Sequence, residues 1–255
     1  MTMRSLPTAA ALTVALLSAV PAASAEVKVL TSGAYKAVLL ALVPAFERTS
    51  GHTVSVANDT AGGVARRIEG GEVVDLAVLP PAGARDLTAK GKLAPDTSVD
   101  LARVLIGVAV KEGAPKPDIA TVEAFRQALL AAPSVTYIDP AAGGSSGIYL
   151  DGLLTRLGIA DQVRPKAVVM SGGYVAERLV TGEAALAIHQ ISELKAVAGV
   201  TVVGPLPTAI GNATIYTGAV AAGAPQPEAA RALLAFLASD AAISVLKEKG
   251  MKAPR

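Results

Sequence analysis

The chain has 255 residues, of which 52% are hydrophobic, carries a formal net charge of +2 and contains no cysteine. With 23 Lys and Arg against 21 Asp and Glu, it offers no excess of basic charge for nucleic acid or an anionic membrane surface, and no disulfide framework is possible. Stability must therefore come from a large apolar core, and a chain this rich in Ala, Val and Leu and poor in aromatics suits an α/β architecture.

Arg4 is the only charge before Glu26, an apolar run follows from Ala9 to Val20, and Ala23-Ser24-Ala25 has the small-residue pattern of a cleavage site. Residues 1–25 read as a secretory signal peptide, and its apolar run is shorter than the ~20 residues of a membrane-spanning helix. The mature protein is expected to begin near Glu26, with one unit less positive charge, and to be periplasmic.

From there short strands alternate with small-residue loops and helices. "VKVL" at 27–30 leads through "TSGA" into a helical stretch with Val38, Leu39, Leu42 and Phe46 at helical spacing, in which Pro44 predicts a kink. "HTVSVA" at 52–57 leads through "NDTAGG" into a helix that Gly70 and Gly71 would end, and "VDLAVLP" stops at Pro80 and Pro81. Residues 102–111 form a continuous apolar run, the pattern of a strand buried on both faces. A helix near 121–131, a strand over 135–138, a helix with the stripe Leu150, Leu153, Leu154 and Leu157, and a strand at 167–170 follow. A helix near 174–181, "AALAIHQ" at 184–190, two further strands and helices over 227–237 and 240–249 complete the chain. This alternation predicts an α/β fold with mostly parallel sheets and helices on both faces.

The loops carry the functional signal. Ser145 and Ser146 in "DPAAGGSSGIY" stand at a helix start, where free N–H groups and the helix dipole favour an anion. Ile148-Tyr149 stand where a nucleotide loop needs Lys and Ser or Thr, and no G-x-G-x-x-G follows the first strand. Similar loops recur at Thr31–Ala34, Asn58–Gly63, Ser171–Tyr174 and His189–Ser192, each at the carboxyl end of a strand, where open α/β sheets bind ligands. The residues expected to contact a small anion are Ser32, Gly33, Tyr35, Thr60, Ala61, Gly62, Ser145, Ser146, Tyr174 and Gln190. Two histidines and no cysteine argue against a metal site, and no cofactor is expected.

The blocks "VKVLTSGAYKAVL", "TAGGVARRIEGGEVVDLAVLP", "DPAAGGSSGIY" with "LLTRLGI", and "GEAALAIHQISEL" together resemble the ModA-like periplasmic solute-binding proteins, whose type members are molybdate-binding components of ABC transporters. The resemblance spans the mature chain. It implies the two-lobed type II periplasmic-binding fold, with lobe one at 26–103 plus 218–255, lobe two at 104–217, and hinge closure on the ligand. It also implies a monomer that delivers its ligand to the membrane permease of an ABC transporter. The molybdate binders have a serine just before the first helix and a serine-rich second loop. Here Ala34-Tyr35 and Thr60–Gly63 stand in those regions, and His189-Gln190 replaces a late tyrosine. These departures, with "HQISELKAV", resemble a divergent branch that includes bacterial aconitate isomerases.

Two functions are therefore carried forward: capture of an organic acid or oxyanion for uptake, and isomerisation by an allylic proton shift. The second needs a base within about 3 Å of an acidic C–H. His189 is the first candidate, because a histidine exchanges protons near neutral pH, with Glu193, Asp59 and Tyr35 behind it. Glu193 reads as a surface or ion-paired helix residue, and Asp139 as the carboxylate that fixes the turn before Pro140. Arg66 and Arg67 read as a solvated pair of which one can reach an anion. His52 and Tyr137 read as structural.

Overall fold

The computed structural model describes residues 24–254, so the expected signal peptide, residues 1–25, lies outside the described residues apart from Ser24 and Ala25. The elements run β1 (Glu26–Ser32), α1 (Gly33–Ser50), β2 (Thr53–Asp59), α2 (Ala61–Glu69), β3 (Leu76–Leu79), α3 (Pro81–Ala89), β4 (Val99–Lys111), α4 (Val122–Ala131) and β5 (Val135–Ile138). They continue with α5 (Ser145–Arg156), α6 (Ala160–Val163), β6 (Ala167–Met170), α7 (Glu177–Val180), β7 (Leu186–Gln190), α8 (Ile191–Leu194), β8 (Val200–Pro205), β9 (Ala213–Val220), α9 (Pro227–Leu237) and α10 (Ile243–Glu248).

Local chemistry accounts for most of the boundaries. Gly51 ends α1 in the left-handed region at φ 75°, its N–H bonded to the Glu47 carbonyl. Thr60 and Thr121 cap α2 and α4, accepting hydrogen bonds from the Gly63 and Ala124 amides. The helix start expected over 174–181 is instead a turn, and α7 begins only at Glu177. Despite Pro44, α1 is assigned as one helix from Gly33 to Ser50.

The strands lie in the order β2-β1-β3-β9-β4-β7-β5-β6, with β8 also paired to β4. Strands reached through a helical crossover pair in parallel: β1 with β2 and β3, β5 with β6 and β7. Every antiparallel pair involves β4 or β9. β4 joins the two halves of the sheet, pairing with β9 as far as Leu105 and with β7 from Ile106. β9 pairs with β3 and β4 from Ala213 onward, so residues 213–217, expected in the second lobe, lie in the first half of the sheet.

Both faces of each half are covered. Val27, Val29, Leu76 and Val78 pack with α1 and α9, while the alternating Leu30, Ala77 and Leu79 pack with α2 and α3. In the second half Ile106, Val108, Val135, Tyr137 and Ile188 meet α4 and α5, and Ala109, Ile138 and Ala187 meet the α7 side. Tyr137 is thus a core residue, as its strand position predicts. This two-sided burial gives each half its own core, and loops at the strand ends of the two halves meet at a seam, where Thr60 reaches Ala142.

Candidate functional site

At that seam the first residues to consider are those joining β1 to α1. Because α1 begins at Gly33, Ser32 is the residue immediately before the first helix. Ser32 is 2% exposed, yet its Oγ has no partner and does not cap the helix. Tyr35 is completely buried, and its hydroxyl is also unpartnered. Burial alone pushes that phenol above its ordinary range, so it stays a neutral donor. Orphaned buried hydroxyls cost stability until a ligand meets them. Tyr35→Phe is accordingly expected to raise the Tm of the ligand-free protein, by about 1 kcal/mol of stability, while weakening ligand binding in calorimetry.

The second group gathers around Gln190, at the end of β7. The cap of α5 is Gly144, with no side-chain cap bond, so the serines do not serve as caps. Ser145 Oγ instead accepts from Gln190 Nε2 at 3.2 Å, and the same amide donates to Thr214 Oγ1 at 3.0 Å. Tyr216 lies two residues further along β9 and therefore on the same face as Thr214. Burial first and the Glu193 charge second push its phenol upward. Gln190 Oε1 is buried and free. Thr214 and Tyr216 were not among the expected site residues: they sit mid-strand in "ATIYTGAVA", where only their shared parity marks them. Ser146 is buried as the second residue of α5, behind Ser145.

His189 and Glu193 form the third group. His189 is 2% exposed, and neither ring nitrogen makes a directed hydrogen bond. Its Nδ1 lies 2.9 Å from Glu193 Oε2, close enough for an ion pair but approached off the N–H direction. The Glu193 side chain is 11% exposed, so of its two expected places, helix surface or pairing with a basic group, the structure has the second. The other carboxylate oxygen rests against Gly33, where a Cβ would come within 2.6 Å of Oε1. Glu193 therefore occupies the N-terminal end of α1, the seat an external anion would favour. A larger residue at position 33 would make the Glu193 carboxylate shift. Beside the pair, Ser192 Oγ is buried and unpartnered. Ser192, Tyr174, Ala37 and Leu40 border a cavity of about 540 Å³, and the Lys36 ammonium stands 6.0 Å from the centre of the Tyr174 ring. Burial and the charge of Glu193 raise the Tyr174 phenol. A roomier cavity of about 730 Å³, bordered by Arg85, Asp100 and Thr217, contains none of these groups.

The loop around Thr60, Ala61 and Gly62 makes different contacts. Thr60 Oγ1 accepts from Gly63 N at 3.0 Å and donates to the Ala142 carbonyl at 2.6 Å. Gly62 N donates to the Gly143 carbonyl at 3.0 Å, and Arg66 Nη2 reaches Ala142 O at 3.3 Å. Ala61 is the first residue of α2. The donors expected to face a ligand are thus spent on the 139–144 loop of the opposite half of the sheet. A Cβ on Gly62 would lie 3.0 Å from Gly143 Cα, so both glycines are needed for this approach. Gly62→Val is expected to keep the two halves apart and weaken ligand affinity on the order of tenfold, since only the closed fraction binds tightly. Calorimetry, with circular dichroism as the control for folding, reads that loss.

The remaining candidates have other partners. Arg67 grips Glu72 through two hydrogen bonds, and Asp59 stands 3.8 Å from it. Asp139 Oδ1 accepts from Ala141 N at 2.9 Å and fixes the turn before α5. His52 Nδ1 accepts from Ala25 N, a structural contact at the edge of β2.

Comparison with known proteins gives the family and the fold. An aconitate isomerase of Pseudomonas sp. is 36% identical over 247 residues, covering 93% of both chains. The periplasmic molybdate-binding protein of Azotobacter vinelandii superposes with a TM-score of 0.76 at 17% identity, covering 90% of this chain and 100% of the other. The sulfate-binding protein SubI of Mycobacterium tuberculosis gives a TM-score of 0.72 at 18% identity, over 90% and 87%. The architecture is the two-lobed type II periplasmic-binding fold. Residues 27–252 match the family described as bacterial extracellular solute-binding protein, and the chain belongs to that family.

Proposed function

We propose that this protein binds a small polycarboxylate between its lobes and moves a proton along it, as an isomerase of aconitate or a close analogue. The observation that carries this reading is the buried His189–Glu193 pair, surrounded by unpartnered hydroxyls. Simple capture of an oxyanion such as molybdate has no use for a buried histidine–carboxylate pair. The same carboxylate beside Nδ1 suits a histidine that must gain a proton at Nε2.

In the proposed chemistry, ligand carboxylates take the free Ser32, Tyr35 and Ser192 hydroxyls and the N–H groups at the start of α5. Nε2 of His189 removes a proton from the allylic methylene. The electron pair of that C–H bond forms the new double bond to the central carbon, and the old double bond's electrons move to the former vinylic carbon. Returning the proton there completes the shift with no net gain or loss of atoms. Glu193 stabilises the imidazolium between the two transfers.

A second reading keeps the capture and drops the chemistry: a periplasmic receptor that hands its anion to a membrane permease. The contacts between Thr60, Gly62 and the 142–143 carbonyls favour it, because a receptor needs such closure and nothing more. For either role we place the lobe limits where strand pairing changes, near 105/106 and 212/213, and cleavage after Ala25. We also take the mature protein to be a monomer.

One sample separates the readings. Thermal unfolding of the mature protein is measured against molybdate, tungstate, sulfate, citrate, cis-aconitate and trans-aconitate, and the two aconitates are then followed by NMR. Stabilisation by aconitate with interconversion supports the isomerase. Stabilisation without interconversion supports the receptor, and a response to molybdate or tungstate alone overturns the polycarboxylate reading.

A further inference from the structure

Behind the cleft, the sheet has a notch where its two halves meet. On the edge of β4 away from β9, Lys252 pairs with Arg103 and Gln190 of β7 pairs with Ile106. Val104 and Leu105 face no strand on that edge. The resulting cavity, about 330 Å³, is walled by Val104, Leu105, Ile191 and Pro205 and flanked by Arg103 and Lys252. Its size falls within the ~300–1,000 Å³ typical of small-molecule sites.

The two cations are held together by the backbone. Arg103 N donates to Lys252 O at 2.9 Å and Lys252 N to Arg103 O at 3.0 Å, a directly opposed antiparallel pair. Side chains of such a pair stand on the same face with Cβ atoms about 4.5–5.5 Å apart, and like charges there repel. Among the described residues, neither Arg103 nor Lys252 has an acidic partner. A two-cation rim on an apolar wall matches one ligand chemistry: an anionic head group carried on a short apolar body.

We propose that this notch is a second binding site, separate from the cleft, for an amphiphilic monocarboxylate. The head group lies between Arg103 and Lys252, and the apolar body lies against Leu105, Ile191 and Pro205. The site spans the crossing between lobes, with Arg103 and Lys252 on one side and Ile191 and Pro205 on the other. Ile191 opens α8, the helix that carries Ser192 and Glu193, so the two sites share one short element.

Octanoate is the probe, with acetate as the control that lacks the apolar body. In thermal unfolding of the mature protein, octanoate is expected to raise the Tm saturably and acetate to leave it unchanged. R103Q/K252Q removes both charges at exposed positions and is expected to weaken octanoate on the order of tenfold. Ala213→Trp, which fills the notch from the edge of β9 and leaves the charges in place, is expected to abolish the response. Saturating trans-aconitate should leave the octanoate response intact. No octanoate response in the parent protein, an equal response in both variants, or competition by trans-aconitate would each overturn the second site. Should trans-aconitate not bind at all, the polycarboxylate reading of the cleft fails, while the two variants still decide the notch.

Discussion

His189→Ala is expected to slow interconversion of the aconitates by about 10²–10⁴-fold, the usual contribution of one positioned acid–base group, while calorimetric affinity changes only a few-fold. The asymmetry follows from geometry: the ligand's carboxylates are assigned to hydroxyls and helix starts, and His189 Nε2 meets only the carbon that loses its proton. Glu193→Gln sharpens the test. It keeps the shape that rests on Gly33 but removes the charge from the anion seat, so affinity for the polyanion should rise. Turnover should fall, because the imidazolium loses its counter-charge. Tighter binding together with slower turnover separates a catalytic pair from a merely structural one. Equal turnover in all three proteins would remove His189 from the chemistry.

Gly147→Ala is expected to be the most destabilising single methyl near the site. A Cβ at Gly147 would lie 2.0 Å from the Ile138 carbonyl oxygen, a backbone atom at the end of β5 that cannot turn aside. The gain in helix propensity, about 0.5–1 kcal/mol, is smaller than the strain of overpacking, about 1–3 kcal/mol, so stability should fall. At about 2–4 °C per kcal/mol for a protein of this size, the Tm should drop by several degrees. Moving α5 off β5 also carries Ser145 away from Gln190, so ligand affinity should fall with it. Gly152→Ala, in the same helix, is the control. Its nearest neighbour would be the flexible tip of Arg156 at 3.5 Å, and the Tm should hold or rise.

Much of the fold was legible because it depends on periodicity that any stretch of chain displays by itself. The apolar run over 102–111 does become a strand buried for most of its length, and the Leu150, Leu153 and Leu154 stripe does turn inward. Glycine and threonine marked helix ends where their conformational preferences are strong, at Gly51 and Thr60. The helix start after Met170 was misplaced, because a glycine pair signals a turn without fixing its length.

The site was legible in part. Loops at strand ends pointed to Ser32, Tyr35, Ser145, His189 and Gln190, because topology alone sends such loops to a shared edge. What those side chains do there depends on long-range neighbours. Ser145 reaches Gln190, 45 positions away in sequence, rather than capping its own helix. Thr60 and Gly62 reach a loop some 80 residues distant, and Glu193, read as a surface or ion-paired residue, lies against both His189 and Gly33. Thr214 and Tyr216 gave no local sign, since a polar residue in a strand reads the same whether it faces solvent or a cleft. Sequence by itself determined the elements, their caps and the strand-end loops, because those follow from backbone preference and hydrophobic period within a few residues. Only the tertiary structure decided which buried donors stay unpartnered, which reach the loop across the seam, and where the sheet leaves a notch. Those outcomes depend on distances between segments that the chain brings together only when both lobes have packed.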